Sequence, residues 1–307
     1  MNNRLIKNMA VIGVCLVCTF IFFQASENDL EIETNSQNIT PNYQTIVLKD
    51  SNNTLIPIEV DLGIEGESDQ LFRNMLFLMQ SNEYEDLGLF PLLSSDLEVN
   101  SMEIDDTSLT FDFNDSLYAS SNEDALDILE GLTYTFCRDG IENINFKIDG
   151  EYITHLPNST IPVSSATNML GINNFDSDSL LIHRTIPVLV YNQQTINERT
   201  YYVPVTTRVE ADSTDVSNQV SLLLNKINYD EPITIMEEVN IEEGNMKVSL
   251  SSNILMDNES IDQTLYQQIM KSLESIQGVE EVTLYVDNQE IQSTVDVSNR
   301  INNRIRL

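Results

Sequence analysis

Tryptophan is absent from the 307 residues, histidine occurs twice, cysteine three times and glycine only ten times. Each scarcity excludes something. Cys15 and Cys18 lie inside an N-terminal apolar run, which leaves Cys137 as the lone cysteine of the globular part, so no disulfide framework can form there. At the end of a helical pattern, Cys137 reads as a small buried apolar residue. His155 and His183 lack spaced Cys or His partners, which argues against zinc, and no Ser–His–Asp or Cys–His arrangement has local support. The glycines are scattered and compose no phosphate-cradling loop. Cations are scarce as well: 15 Lys and Arg stand against 49 Asp and Glu, a formal charge of −34. Such a field repels nucleic-acid phosphates and anionic lipid head groups and favours basic partners, cations or solubility, so no nucleic-acid partner is expected.

Met9–Phe23 is an uncharged apolar run of 15 residues behind Arg4 and Lys7. Its length fits a signal-peptide core, whereas a full span takes roughly 17–25 residues. Phe23 ahead of Ala25 spoils a small–x–small cleavage site, and Val14 and Val17 ahead of Cys15 and Cys18 spoil a lipid-attachment motif. Residues 1–25 therefore read as a signal or membrane anchor, an uncleaved anchor being preferred over cleavage or atypical lipidation, with the acidic bulk outside. Residues 26–44 read as a polar tether.

What the chain has in quantity is repetition. Ile104–Phe113 (IDDTSLTFDF) recurs as Ile241–Leu250 (IEEGNMKVSL), 137 positions on, and Ile144–Ile153 (INFKIDGEYI) recurs as Val282–Ile291 (VTLYVDNQEI), 138 positions on. Ile56-Pro57-Ile58 is answered by Val203-Pro204-Val205. Matched elements in constant order mean two copies of one domain, at residues 45–156 and 185–292, with a linker at 157–184 and a polar tail at 293–307. Hydrophobic residues at 41 % suffice for a core in each copy. The linker reads as either a spacer or an ordered insertion, and the tail, with Arg300, Arg304 and Arg306, is expected to fray.

Apolar periodicity gives each copy the order β-β-α-β-β-α-β, hence the α+β class, with both helices on one face of a small sheet. Pro57 and Pro204 place their strands at an edge or bulge. Helices are expected from Ser68 to about Gln80, after a Ser121/Asp124 capping box, over Thr214–Ile227, and after a Ser260/Gln263 capping box with Gly278 as the stop. Hairpins are expected at Leu97–Phe113 and Ile233–Leu250. The Leu71, Phe72, Met75, Leu76 and Met79 stripe reads as core packing.

Two features could carry chemistry. Carboxylate pairs recur at the hairpin tips, Asp105-Asp106 and Glu242-Glu243, where polar turn residues are the simpler reading. Asn174, Asp176 and Asp178 alternate like the opening of a calcium loop, but Gly171 precedes the run and no glutamate stands at its end. No catalytic, cofactor-binding or metal residue is assigned.

Tyr201-Tyr202-Val203-Pro204-Val205-Thr206-Thr207-Arg208-Val209, the helix after it, Met246–Leu250 and Val282–Asp287 together resemble a GerMN domain. The first copy matches through Leu55–Ile58, Leu109–Phe113 and Phe146–Gly150. The chain is thus similar to the GerMN family of sporulation and germination proteins, over roughly residues 45–292. That resemblance implies a ring-building-type fold and a scaffold without enzymatic activity or cofactor. It places such a protein outside the cytoplasm, between mother cell and forespore, where it supports a channel complex through protein partners or self-association. It carries over no catalytic residues, and the family's usual lipid-attachment motif is missing here. The alternative is an extracytoplasmic protein binding a ligand in the cleft between its two domains.

Overall fold

The computed structural model describes residues 42–63, 68–138, 140–163, 166–167, 171–174, 176–177, 185–256, 260–291 and 303–305. β1 (Tyr43–Lys49) and β2 (Leu55–Asp61) form an antiparallel hairpin, closed where the buried Asp50 accepts the Asn52 and Thr54 amides. α1 (Ser68–Met79) follows, burying Met75, Leu76, Leu78 and Met79. β3 (Val99–Asp105) and β4 (Ser108–Phe113) pair as the next hairpin. α2 (Asn122–Phe136) starts at Ser121, whose hydroxyl accepts the Asp124 amide at 3.0 Å, and crosses over to β5 (Asn143–Ile148). A helical crossover lets β4 and β5 run parallel, and they do. β6 (Glu151–Tyr152) and β7 (Ala166–Thr167) both pair with β5.

β8 (Asp176–Ser177) lies beside the long hairpin of β9 (Thr185–Ile196) and β10 (Arg199–Glu210). Asn197 and Glu198 turn that hairpin, both at positive φ as a two-residue loop demands. α3 (Val216–Leu224), β11 (Ile241–Glu242), β12 (Asn245–Leu250), α4 (Gln263–Glu274), β13 (Glu281–Val286) and β14 (Gln289–Ile291) repeat the first copy, with β12 and β13 parallel. β15 (Arg304–Ile305) pairs in parallel with β2.

The α+β class and the duplicated order hold; the layering is finer than one sheet with helices on one side. In each copy the first two strands stand apart as a hairpin, and the helix before the last parallel strand is packed from both sides. α2 contacts β1 as well as β5, and α4 contacts β9 as well as β13. This explains why burial extends around α2, through Ala125, Leu129, Glu130, Leu132, Thr133 and Phe136. The Phe136 ring meets Phe72 edge-on at 5.3 Å and Phe111 at 5.1 Å, fixing helix against sheet.

Some local expectations change. The arm before β11 is mostly irregular, because Val239 gives its N–H to Ser217 Oγ and takes that hydroxyl's hydrogen in return, at 2.7 and 3.2 Å, instead of joining a ladder. α3 and α4 begin at Asp215 and Asp262, whose carboxylates cap them. Segment 303–305 of the tail is not frayed: Ile305 is buried in the core of the first copy. Tyr201 and Val203 of β10 and Ile172 of the linker join that same core, whereas Val188, Val190 and Val209 of the same hairpin belong to the core of the second copy. The β9–β10 hairpin is thus shared between copies, and Pro41–Leu307 is one compact unit.

Candidate functional site

Proline fixes the chemistry of the seam between the copies. Lacking an N–H, it offers the strand flank only a carbonyl. Asn173 meets such a flank: its Oδ1 accepts the Leu55 amide at 2.8 Å, while Nδ2 donates to the Leu55 carbonyl at 2.8 Å and, across the seam, to the Pro204 carbonyl at 2.8 Å. Asn303 does the converse. Its Oδ1 accepts the Tyr202 amide at 2.8 Å, and Nδ2 donates to the Tyr202 carbonyl at 2.9 Å and, across the seam, to the Pro57 carbonyl at 2.6 Å. Leu55 and Tyr202 each stand two residues before the proline of their own copy. The backbone continues the exchange, since Thr206 N–H donates to Ile172 and Glu59 N–H to Asn303, each two residues past its proline. A primary amide, with two donors and one acceptor, is the side chain that fits an N–H and two carbonyls. The result is an approximate two-fold clasp in which the segment following each copy seats along the proline strand of the other.

The proline strands therefore face each other across the seam; they are not free edges. Around them, the Tyr134 and Tyr191 hydroxyls meet at 2.7 Å, Gln194 Nε2 donates to Asp50 at 2.7 Å, and Arg304 pairs with Glu59 at 3.2 Å over the Tyr43 ring. Lys271 sits over Tyr191 and Tyr202, and burial lowers its pKa. Glu130 of α2, 2 % exposed, is pushed up to about pKa 7 by burial, which outweighs the hydrogen bonds it receives from the Asn173 and Asn174 amides. Among the described residues its Oε1 has no hydrogen-bond partner. Asp127, one turn earlier, is raised to about 6, again mainly by burial. The seam between the copies is thus crossed by the chain's own side chains.

The sequence candidates are distributed elsewhere. Asp105-Asp106 and Glu242-Glu243 are exposed at separate hairpin tips, and Asp106 and Glu243 take positive φ, as turn residues do. Asp176 belongs to β8, and Asp178 and His183 lie outside the described residues. His155 is exposed, its Nδ1 3.0 Å from Thr154 Oγ1. Among the described residues no three His, Cys, Asp or Glu side chains converge to hold a metal. Cys137, the residue that ends α2, is buried. The apolar run at 9–23 also lies outside the described residues, and no described helix is long and apolar enough to cross a membrane. Sequence reasoning does not reach Asn173 and Asn303, because nothing in a polar linker or tail distinguishes a buried asparagine; Ile-Asn-Asn recurs at 172–174 and 301–303, but that repeat aligns Asn173 with Asn302 and so does not single out the pair.

A second surface is the outer face of the β11–β14 sheet, an open trough of about 1220 Å³ lined by Glu237, Glu238, Glu243, Lys247, Glu281 and Tyr285, among others. The matching face of the first copy is also polar, with Lys147 3.5 Å from Glu103 and 4.7 Å above the Tyr152 ring. Each copy thus buries one sheet face and offers hydrogen-bonding and charged groups on the other.

Comparison with known proteins matches this architecture. The tandem GerMN domains of the sporulation protein GerM from Bacillus subtilis superimpose with a TM-score of 0.68 at 20 % identity, covering 81 % of this chain and 92 % of that one. Spore germination protein GerM of Bacillus subtilis (strain 168) is 21 % identical over 197 residues, 61 % of this chain, and the match spans about half of that relative's length, 54 %. The Germane family, described as sporulation and spore germination, matches residues 47–154 and 187–292, one match for each copy of the repeat. The chain therefore belongs to the Germane family and carries its domain twice.

Proposed function

We propose that the chain is a non-enzymatic scaffold of sporulation and germination, held on the extracytoplasmic side of a membrane through residues 1–25, and that it supports assembly of the channel complex between mother cell and forespore. The observation that carries this reading is the reciprocal seating of Asn173 and Asn303, which joins two family domains into one body while leaving a polar sheet face exposed on each. A rigid pair of binding faces suits a structural part whose neighbours must be held at fixed spacing. The acidic balance favours basic partner surfaces.

Two experiments test the proposal. Purified residues 42–307, mixed with the extracytoplasmic domains of the channel proteins, are expected to form a complex or an oligomer in size-exclusion chromatography with light scattering. Deletion of the gene in its native host is expected to block sporulation after engulfment begins, with small forespores under membrane-dye microscopy. Normal yields of heat-resistant spores that germinate normally would remove the sporulation reading.

A further inference from the structure

Glu130 of α2 lies against the Asn173 half of the clasp, 2 % exposed. Its carboxyl receives the Asn173 and Asn174 amides, while Oε1 is buried and, among the described residues, has no partner. A carboxyl so placed is tolerable neutral and costly charged, because a buried charge needs a counter-charge or a full set of donors. Among the described residues it has neither. α2 packs on β1, β5 and β7. Lys49, the charged residue of β1, turns to Asp124 at 3.1 Å and Asp127 at 3.9 Å. Lys147, that of β5, stands on the outer sheet face with Glu103 and Tyr152. β7 and residues 171–174 contain no charged side chain. Asp127, the charged neighbour on α2 itself, opposes a second negative charge.

The other half of the clasp is built differently. Setting the buried Ala125 and Leu129 of α2 against Leu265 and Ile269 of α4 puts Met270 where α2 has Glu130 and Gln267 where it has Asp127. Segment 171–174 is also held shut against its own backbone preference: Asn173 takes φ +51, and a Cβ on Gly171 would lie 2.8 Å from Thr206. β7 and β8, on either side of the segment, are paired to β5 and β10, which confines any opening to the short stretch between them. We propose that Glu130 is a pH-operated catch for the Asn173 half of the clasp: on losing its proton it drives residues 171–174 to lift and admit water, which frees the Leu55 amide and the Pro204 carbonyl while the Asn303 half stays seated. The direction follows from burial, which raises this carboxyl from 4.5 to about 7. The closed form keeps a proton that the open form releases, so opening grows as pH rises through that interval. The inference does not depend on the sporulation reading.

Native-state hydrogen exchange of the full chain, followed by NMR between pH 5 and 8 in low urea and corrected for intrinsic rates, tests this. The Leu55, Ile172 and Thr206 amides are bonded to Asn173 Oδ1, Thr206 Oγ1 and the Ile172 carbonyl. Their opening is expected to rise about tenfold per pH unit up to about 7 and then level off, and to be insensitive to urea, as an opening that exposes little surface is. Any urea-insensitive opening of the Tyr202 and Glu59 amides, which are bonded to Asn303, is expected to be flat with pH. Glu130→Gln is expected to abolish the response of the first three amides, and Asp127→Asn to keep it from pH 6 to 7. Should Glu130→Gln fail to fold, Glu130→Met, which copies the arrangement on α4, takes its place. Opening of those three amides that ignores pH, that occurs solely through urea-dependent unfolding of the whole body, or that keeps its slope without the Glu130 carboxyl would overturn the inference.

Discussion

The Tyr134 hydroxyl on α2 and the Tyr191 hydroxyl on β9 meet at 2.7 Å, so one helix of the first copy and one strand of the second share a half-buried hydrogen bond. Burial raises both phenols above their ordinary range. Replacing either by Phe strands the other hydroxyl, and each single variant is expected to lose about 1 kcal/mol in urea unfolding. The double variant is expected to cost little more than one single, because the pair acts as a unit; additive losses would show that the hydroxyls do not couple.

Asn173→Ala leaves the Leu55 amide and two carbonyls without partners in a buried site. A loss on the order of 3 kcal/mol is expected from the denaturant midpoint. Asn174→Ala, one residue on, keeps every backbone bond and is expected to stay within about 0.5 kcal/mol of wild type.

Stability is expected to fall as pH rises from about 4.5 to about 7. The folded chain raises Glu130 from 4.5 to about 7, so between those values the folded state holds a proton that the unfolded chain has released. The contribution is complete below the lower value, gone above the upper one, and amounts to about 3 kcal/mol. Asp127, raised to about 6, adds a slope of the same sign at lower pH. Glu130→Gln is therefore expected to flatten the profile between about pH 4.5 and 7, most cleanly from 6 to 7 where Asp127 no longer contributes, measured as urea midpoints; an unchanged slope in that upper window would contradict the assignment.

Gly88 adopts φ +77, and a Cβ there would lie 2.5 Å from Ile196 Cγ2 at the end of the long hairpin. Gly88→Ala combines backbone strain with a collision between the copies, and a loss of about 2 kcal/mol is expected by thermal or urea unfolding. Gly63→Ala, also at positive φ but with no neighbour within 4 Å, isolates the backbone part.

The duplication was legible because apolar alternation is periodic and survives divergence: Phe111 and Val248, for instance, are both fully buried in the matching strand. Ser121 was legible as a cap because a capping box is a local pattern. The seam was not. A proline shows that a strand needs an edge or bulge, but what faces Pro57 and Pro204 depends on residues far along the chain, 246 positions away for Asn303. Nor could periodicity show that Tyr201 and Val203 belong to one core and Val209 to the other, since all three are simply apolar positions of one strand. Short range sets the elements; the joining of the copies is set by contacts distant in sequence, among them a shared apolar core and two asparagine side chains whose partners are backbone atoms.

A polypeptide emerges from its N-terminus, whether from the ribosome or through a membrane pore. Ile305 is part of the core that Ile46 and Ile58 begin. The first copy therefore remains incomplete long after its own strands have been delivered, with its β2 flank open until residues 303–305 arrive. A chain cut short before residue 303 would therefore leave β2 exposed to cellular proteases and binding proteins.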